Sequence, residues 1–238
     1  MSSVLPKNIE EAATFDLAQA ELRELNATLQ ALPADTNQTS WAVLNPRGAH
    51  ALAVGLTAPV TVTIQGHAGY YCAGMNDGAA VVVDGNVGTG VAENMMSGTV
   101  HVKGDASQSA GATAHGGLLI IEGNASARCG ISMKGLDIVV KGNVGHMSAF
   151  MAQSGNLVVC GDAGEALGDS LYEARIFVKG KVASLGADCE KKEMTAEDKD
   201  ILSALLQKAG IETKPEAFTR YGSARKLYHF HVDNAGAY

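Results

Sequence analysis

Aliphatic residues return along this chain at a fixed interval. Val62, Val81, Val100, Leu119, Ile138, Leu157 and Ile176 form one series, and Ile64, Val83, Val102, Ile121, Val140, Val159 and Val178 form a second, two places later. Glycine follows each pair, as Gly66, Gly85, Gly104, Gly123, Gly142, Gly161 and Gly180, so the step is 19 residues throughout. These seven are the expected structural glycines. Residues flanking them are mostly polar. Gln65, Asp84, Lys103, Glu122, Lys141 and Lys179 precede the glycine, with Cys160 the exception; His67, Asn86, Asp105, Asn124, Asn143, Asp162 and Lys181 follow it. Such alternation predicts a short strand in every repeat, apolar on its inner face and wet on its outer one. The Asn and Asp beside glycine predict a bend.

An unbroken period of this length is the signature of a solenoid, in which each repeat buries its apolar side against the next. Seven places after the glycine stand only Ala73, Ala92, Gly111, Gly130, Ala149 and Gly168, side chains small enough for stacked backbones to approach closely. No helix fits inside a coil, and the expected architecture is a parallel β-helix of about seven coils. At the usual strand spacing of about 4.8 Å the rod would be about 34 Å long. A leucine-rich repeat would have a longer period and a leucine frame, and a hexapeptide helix would need a six-residue subperiod.

The repeat block spans residues 60–188, with an N-terminal segment 1–59 and a C-terminal segment 189–238. Both flanks contain a helical pattern. In 16–31, Leu17, Leu22, Leu25 and Leu29 share a face and Asp16 is the expected N-cap. This helix either closes one end of the rod or docks on a partner. In 195–209, Thr195 is the expected cap, Ile201, Leu202, Leu205 and Leu206 make the stripe, and Gly210 stops it. The tail beyond, "FTRYGSARKLYHFHV", suits a docking segment as well as a packed strand.

Composition excludes several functions. With 28 glycines, 46% hydrophobic residues and 5% aromatics, the core is built from Val, Ile, Ala and Gly. A net charge of -7 and scattered basic residues leave no footprint for nucleic acid. "MSSVLPKNIEEAATF" lacks the apolar core of a signal peptide, and Pro59 and threonines interrupt the most apolar stretch. A cytoplasmic protein is expected. The stretch "VVVDGNVGTG" looks like a phosphate loop, but Gly85, Gly88 and Gly90 run G-x-x-G-x-G and no helix or Gly-Lys-Ser/Thr follows.

Chemistry-bearing residues do not converge in this register. Cys72 and Cys129 fall on one inner line three coils apart, about 14 Å, beyond the reach of a disulfide. Cys160 and Cys189 lie in other registers, and no C-x-x-C is present. His67, His101, His115 and His146 each occupy a different place in the repeat. His229 and His231 would share one strand face, a conceivable metal pair without a third ligand. Gly168, Asp169 and Ser170 lack the G-x-S-x-G of a nucleophile elbow. Glu93, His115 and Asp169 are the only loose catalytic candidates, and Glu93 and Asp169 sit four coils apart, about 19 Å, too far for a glycosidase pair.

Several long strings carry a resemblance. The glycines recur as G-x-x-G-x-x-x-G, clearest at Gly161, Gly164 and Gly168, which resembles the GXGXG domain that closes the large subunit of glutamate synthase. A related domain occurs in the C subunit of formylmethanofuran dehydrogenase. "WAVLNPRGAHALAVGL", "GYYCAGMNDGA", "GVAENMMSG", "GDASQSAGATAHGGLLIIEGNASARCGISMKG", "GHMSAFMAQSGNLVVCGDAGEALGDSLYEA" and "SARKLYHF" look like the free-standing form of this domain. That form is the B subunit of methylamine-glutamate N-methyltransferase (N-methylglutamate synthase), with the GlxC-type proteins as near relatives. The likeness covers nearly the whole chain after residue 15, the last coil departing only by Ala183 at the middle glycine.

The resemblance implies a right-handed parallel β-helix that serves as the structural subunit of a hetero-oligomer. It implies one partner that binds FMN and an iron-sulfur cluster, and another resembling a glutamine amidotransferase. The implied reaction exchanges the amino group of L-glutamate for methylamine, giving N-methyl-L-glutamate and ammonia. It supplies no catalytic, cofactor or metal residue in this chain, in line with the residue-level search.

Two functional classes therefore stand. One is a non-catalytic assembly subunit, with Tyr70, Tyr71, Met95, Met96 and Phe150 as candidate partner contacts, unless those side chains fill a widened end of the rod. The other is an independent enzyme or ligand binder that uses a groove on the rod's surface.

Overall fold

The computed structural model describes residues 12–227. Strands β1 (Ala13–Asp16), β2 (Ser40–Leu44), β3 (Thr61–Ile64), β4 (Asp77–Val83), β5 (Ser97–Val102) and β6 (Leu118–Ile121) are joined by β7 (Lys134–Val140), β8 (Ser154–Val159) and β9 (Arg175–Val178) in one parallel sheet, in chain order. The 19-residue step is the Cα register itself: Val62 pairs with Val81, Val81 with Val100, and so on through Leu119, Ile138, Leu157 and Ile176. A second line of bridges joins Ala68, Val87, Ala106, Ala125, Val144, Ala163 and Val182. The fold is a parallel β-helix of about seven turns. Its sheet reaches back to β1 and β2, ahead of the repeat block visible in the sequence.

Six of the seven anchor glycines owe their identity to the coil below. Gly85, Gly104, Gly123, Gly142, Gly161 and Gly180 have no left-handed φ. A Cβ on Gly123 would instead stand 2.8 Å from the carbonyl oxygen of Gly104 and closer still to the Asp105 side chain. One on Gly180, the last of the series, would stand 2.6 Å from the carbonyl carbon of Gly161. Gly66, the first, is glycine for a different reason. No anchor glycine lies 19 residues before it, its φ is +132°, and a Cβ there would meet the Pro46 ring at 3.1 Å rather than another backbone. Conformation sets the identity at Gly66, and contact sets it at the others.

Two parallel ladders bring the backbones together, a side-chain ladder at all six and a glycine ladder from Gly104 onward. The Gly123 N–H donates to Gly104 O at 3.0 Å, and the next N–H, that of Asn124, donates to Asp105 Oδ1 at 2.6 Å. The glycine ladder ends with Gly180 N–H on Gly161 O, also at 3.0 Å. The side-chain ladder runs unbroken from His67 to Lys181, each backbone N–H bonding the residue one coil earlier: Asn86 to His67 Nδ1, Asp105 to Asn86, Asn143 to Asn124, Asp162 to Asn143 and Lys181 to Asp162, at 2.7 to 2.9 Å. The Asn and Asp after glycine therefore do more than bend the chain; they satisfy a neighbour's backbone donor.

Opposite this corner the chain turns through left-handed residues five, seven and nine places after the glycine. In the fifth coil these are Met147, Ala149 and Met151, with φ of 54, 58 and 53°. Their N–H groups knit in both directions: Met147 and Met151 donate forward to Glu165 O and Asp169 O, whereas Ala149 donates back to Cys129 O, at 2.7 to 2.9 Å. The middle position is small for a reason different from backbone crowding. It points inward, where a Cβ on Gly111 would meet Leu136 Cδ2 at 2.6 Å and Ile138 Cδ1 at 2.9 Å.

The interior is one continuous aliphatic core from Leu25 to Val178. Helix α1 (Leu22–Gln30) closes its first end, burying Leu25 and Leu29 fully among Leu52, Ala53 and Leu56. Of the two roles open to this helix, capping is the one observed. It is shorter than the expected 16–31, and Asp16 is not its N-cap. Thr14, Phe15 and Asp16 pair with β2 as a strand, and the Asp16 carboxylate accepts from Ala18 N–H and Asn45 Nδ2 to close a turn before the helix begins.

Helix α2 (Ala196–Lys208) follows the expected boundaries, with Thr195 as cap and Gly210 in the left-handed conformation at its end. It lies on the outer face of the sheet. Leu202, Leu205, Leu206 and Ala209, with Phe218, bury Ile120, Val139, Val158 and Phe177 in a second core. Strands β10 (Cys189–Lys192) and β11 (Thr219–Ser223) frame this helix and end the parallel sheet: β11 adds antiparallel to β9, and β10 to β11. Antiparallel addition blocks the register in which a further identical coil would stack.

Gly123→Ala is expected to cost about 3 kcal/mol, the upper end for overpacking. Gly48→Ala, at φ +70° with nothing within 4 Å of its Cβ position, is expected to cost about 1 kcal/mol for the left-handed conformation alone. Urea midpoints of the two variants check this, and equal losses would refute the ladder-crowding account.

Candidate functional site

The third residue before each glycine points out of the rod, and its character changes along the chain. Thr63, Val82 and His101 give way to Ile120, Val139, Val158 and Phe177. The aliphatic and aromatic members lie under α2, and where the helix stops at Lys208 a groove opens over β4 to β7. Its volume is about 660 Å³, with Val82, Leu118 and Ile120 on its floor and Gln207 to Gly210 forming one wall.

Two polar groups face each other across that floor. His101 Nε2 donates to Glu122 Oε1 at 2.8 Å, and Lys141 Nζ stands 3.4 Å from the same oxygen. Burial pushes the Glu122 carboxyl up, but the His101 hydrogen bond and the Lys141 charge outweigh it and hold the group below its ordinary range. Asp137 lies on the other side, on the ladder five places before glycine. Its Oδ1 accepts from Asn156 Nδ2 at 2.7 Å. Burial pushes its carboxyl up, opposed by that amide and by Lys208 acting at longer range. Glu122 is doubly compensated, whereas Asp137 has no ion-pair partner within 4 Å among the described residues.

The helix that walls the groove is held by a buried carboxylate. Asp198, 2% exposed, completes the capping box by accepting from Thr195 N–H at 3.0 Å and Thr195 Oγ1 at 2.8 Å. Arg220 Nε stands 3.2 Å and Arg175 Nε 3.5 Å from its two oxygens, and Arg175 also donates to Glu197 at 2.8 Å. The burial that raises the Asp198 carboxyl is more than offset by Thr195 and the two guanidiniums, so the group sits below its ordinary range. In sequence Asp198 shows only as one acid of a first turn; its contacts with β9 and β11 depend on strands 23 residues before it and 22 after it.

The residues singled out in sequence are placed as follows. Tyr70 is 54% exposed and stacks on His50 with ring centroids 3.8 Å apart, while its N–H donates to His50 Nδ1 at 3.2 Å. Met96 is exposed, as is Met75 in the coil before it. Tyr71 and Phe150 are half-buried. Met95 is a correction: it is fully buried and belongs to the interior core, so it presents nothing to a partner. Tyr70, Tyr71 and Met96 occupy the turns of two adjacent coils, and Phe150 lies three coils further on, about 14 Å along the rod.

Glu93, His115 and Asp169 are not brought together by the coil register. Asp169 is committed to the last coil, accepting from Ser170 Oγ at 2.7 Å and Ala187 N–H at 3.1 Å. Among the described residues no group of three or more His, Cys, Asp and Glu side chains could hold a metal ion. His229 and His231 lie outside the described residues. Also among the described residues, no helix is long and apolar enough to cross a membrane. All four cysteines are free; burial pushes the thiols of Cys72 and Cys129 up to about 12.

The chain is 63% identical over 225 residues to Protein GlxC of Rhizobium meliloti (strain 1021), covering 94% of this chain and 99% of that protein. No family model matches it. No solved structure matches it.

Asp198→Asn is expected to weaken the seating of α2 by at least about 1 kcal/mol, the worth of a lost cap. Because the folded carboxyl is held low, its contribution is complete above the unfolded value near 3.9 and disappears as the pH falls through the lower folded value. Chemical denaturation from pH 7 to 2 should therefore show lower neutral stability and a shallower acid limb in the variant. Iodoacetamide at pH 8 is expected to leave Cys72 and Cys129 unmodified in the folded protein and to label both after denaturation, as read by intact mass.

Proposed function

The chain belongs to the GlxC family, and from that premise we propose that it is a non-catalytic assembly subunit of a glutamate-synthase-like complex. The finer reading is methylamine-glutamate N-methyltransferase, which makes N-methyl-L-glutamate and ammonia from methylamine and L-glutamate. In this reading the flavin and iron-sulfur chemistry lies in an FMN-binding synthase subunit, the amide chemistry in an amidotransferase-like subunit, and the β-helix joins them in the cytoplasm.

One observation carries the proposal. The polar side chains that follow the anchor glycines are spent on holding coil to coil: the ladder from His67 to Asp162 accepts backbone donors, and Asp169 holds the last coil. What remains exposed is instead suited to contact. Tyr70, Met75, Met96 and Met151 stand 44 to 54% exposed on the turn face, and large flexible apolar side chains outside a small-residue core are typical of partner surfaces.

Co-expression with the products of neighbouring genes tests the reading. The lone chain should be colourless and inert, and the mixture should form a large yellow-brown assembly that makes N-methylglutamate from methylamine and glutamate. Tyr70→Ser with Met96→Ser should weaken co-purification with the flavin subunit at least tenfold, about 1.4 kcal/mol, without changing the solubility of the chain. Turnover by the isolated chain, or unchanged assembly of the double variant, would count against it.

A further inference from the structure

We propose that the groove at the C-terminal end of α2 binds a small organic cation with an apolar body, its nitrogen seated on Asp137. This goes beyond an assembly role, and it does not depend on that role being correct.

The groove is concave and has an apolar floor, since Val82 and Ile120 are 6% and 5% exposed and Leu118 lies beside them. Its volume of about 660 Å³ is that of an ordinary small-molecule site. Polarity is concentrated at the two sides. On one side Glu122 is already met by His101 and Lys141, so a ligand gains little there. On the other, Asp137 has one amide donor at Oδ1 and no ion pair within 4 Å among the described residues. A partly buried carboxylate with a single neutral donor is the group in the groove that an incoming cation would stabilise most.

The wall above it is of mixed sign, a negative helix end beside one ammonium. Lys208, Ala209 and Gly210 line the groove at the end of a 13-residue helix. The N–H groups of Gly210 and Ile211 bond Gln207 O and Leu206 O, and the carbonyls of Lys208 and Ala209 come after these at the negative end of the macrodipole. Against this stands the Lys208 ammonium, the competing charge that faces Asp137. An anion would find Lys141 occupied by Glu122 and only Lys208 open to it, beside Asp137 and the helix end; a neutral ligand would leave Asp137 uncompensated. An ammonium on a chain of three to five carbons fits both the charge and the floor.

The test uses the full chain and three isosteric probes: n-butylammonium, n-butanol and butyrate. Binding is followed by amide chemical-shift changes, with those of Val82, Thr99, Ile120 and Gly210 locating the site. We expect n-butylammonium to bind in the groove about tenfold tighter than n-butanol, the order of one charge-assisted hydrogen bond, and butyrate to bind weakest. Asp137→Asn should erase the preference for the cation while leaving butanol unchanged. Lys208→Ala should strengthen butylammonium binding several-fold, an effect opposite in sign to structural damage and one that keeps the test informative if the Asp137 variant folds poorly. Shifts that miss the groove, equal binding of butanol and butylammonium, or weaker cation binding in Lys208→Ala would each overturn the proposal.

Discussion

Consecutive coils are held together where backbone meets backbone at the anchor glycine. From Gly104 to Gly180 the glycine N–H bonds the glycine carbonyl of the coil before, and the next N–H bonds the side chain beside that glycine. Both bonds require the two backbones to approach until no Cβ fits between them. This one approach fixes the coil spacing and the 19-residue register, and through them the alignment of Val, Ile and Leu within. An isolated coil has no such neighbour and cannot bury its strand, so the ladder and the core form together or not at all.

The same constraint explains which parts of the molecule are legible in the sequence. Anything repeated with the coil is visible as a period: the inner strand positions, the glycine, the Asn and Asp after it, and the small residue seven places on. Their physical causes are less visible. Gly66 and Gly180 look like equal members of one series, yet only Gly180 sits against another glycine's backbone. The Asn and Asp ladder is distinguished from a simple bend only when Asn124 N–H is seen to reach Asp105 one coil away. The small position reflects left-handed backbone and inward packing, which the identities of Ala149 and Gly111 alone do not separate from crowding.

Features that break the period escape for the opposite reason. Asp16 followed by leucines at helical spacing reads as a capped helix, yet Thr14 and Phe15 gain more by pairing with β2, and tertiary pairing overrides local propensity. Met95 stands beside exposed Met96 and reads as its companion, although it sits on the inward line with Ala114 and Met133. A signal for the groove does exist. The outward series from Thr63 to Phe177 turns large and apolar just where a helix with a matching Leu202, Leu205 and Leu206 stripe is available to cover it, and the change of character at His101 marks where cover ends.

A helix that covers only part of a repeating surface creates asymmetry the repeat itself cannot supply. Every coil contributes the same outward positions, so a bare β-helix offers a ligand no preferred place along its length. By covering β6 to β9 with α2 and leaving β4 and β5 open, the chain produces one edge, and at that edge the last helical carbonyls, Asp137 and an apolar floor meet. At the other end of the same helix, Asp198 anchors α2 through two arginines on different strands. The groove is therefore coupled to the end of the solenoid: the strands that terminate coil stacking also seat the helix whose end defines the site, so loss of that seating would abolish the groove without disturbing the ladder beneath it.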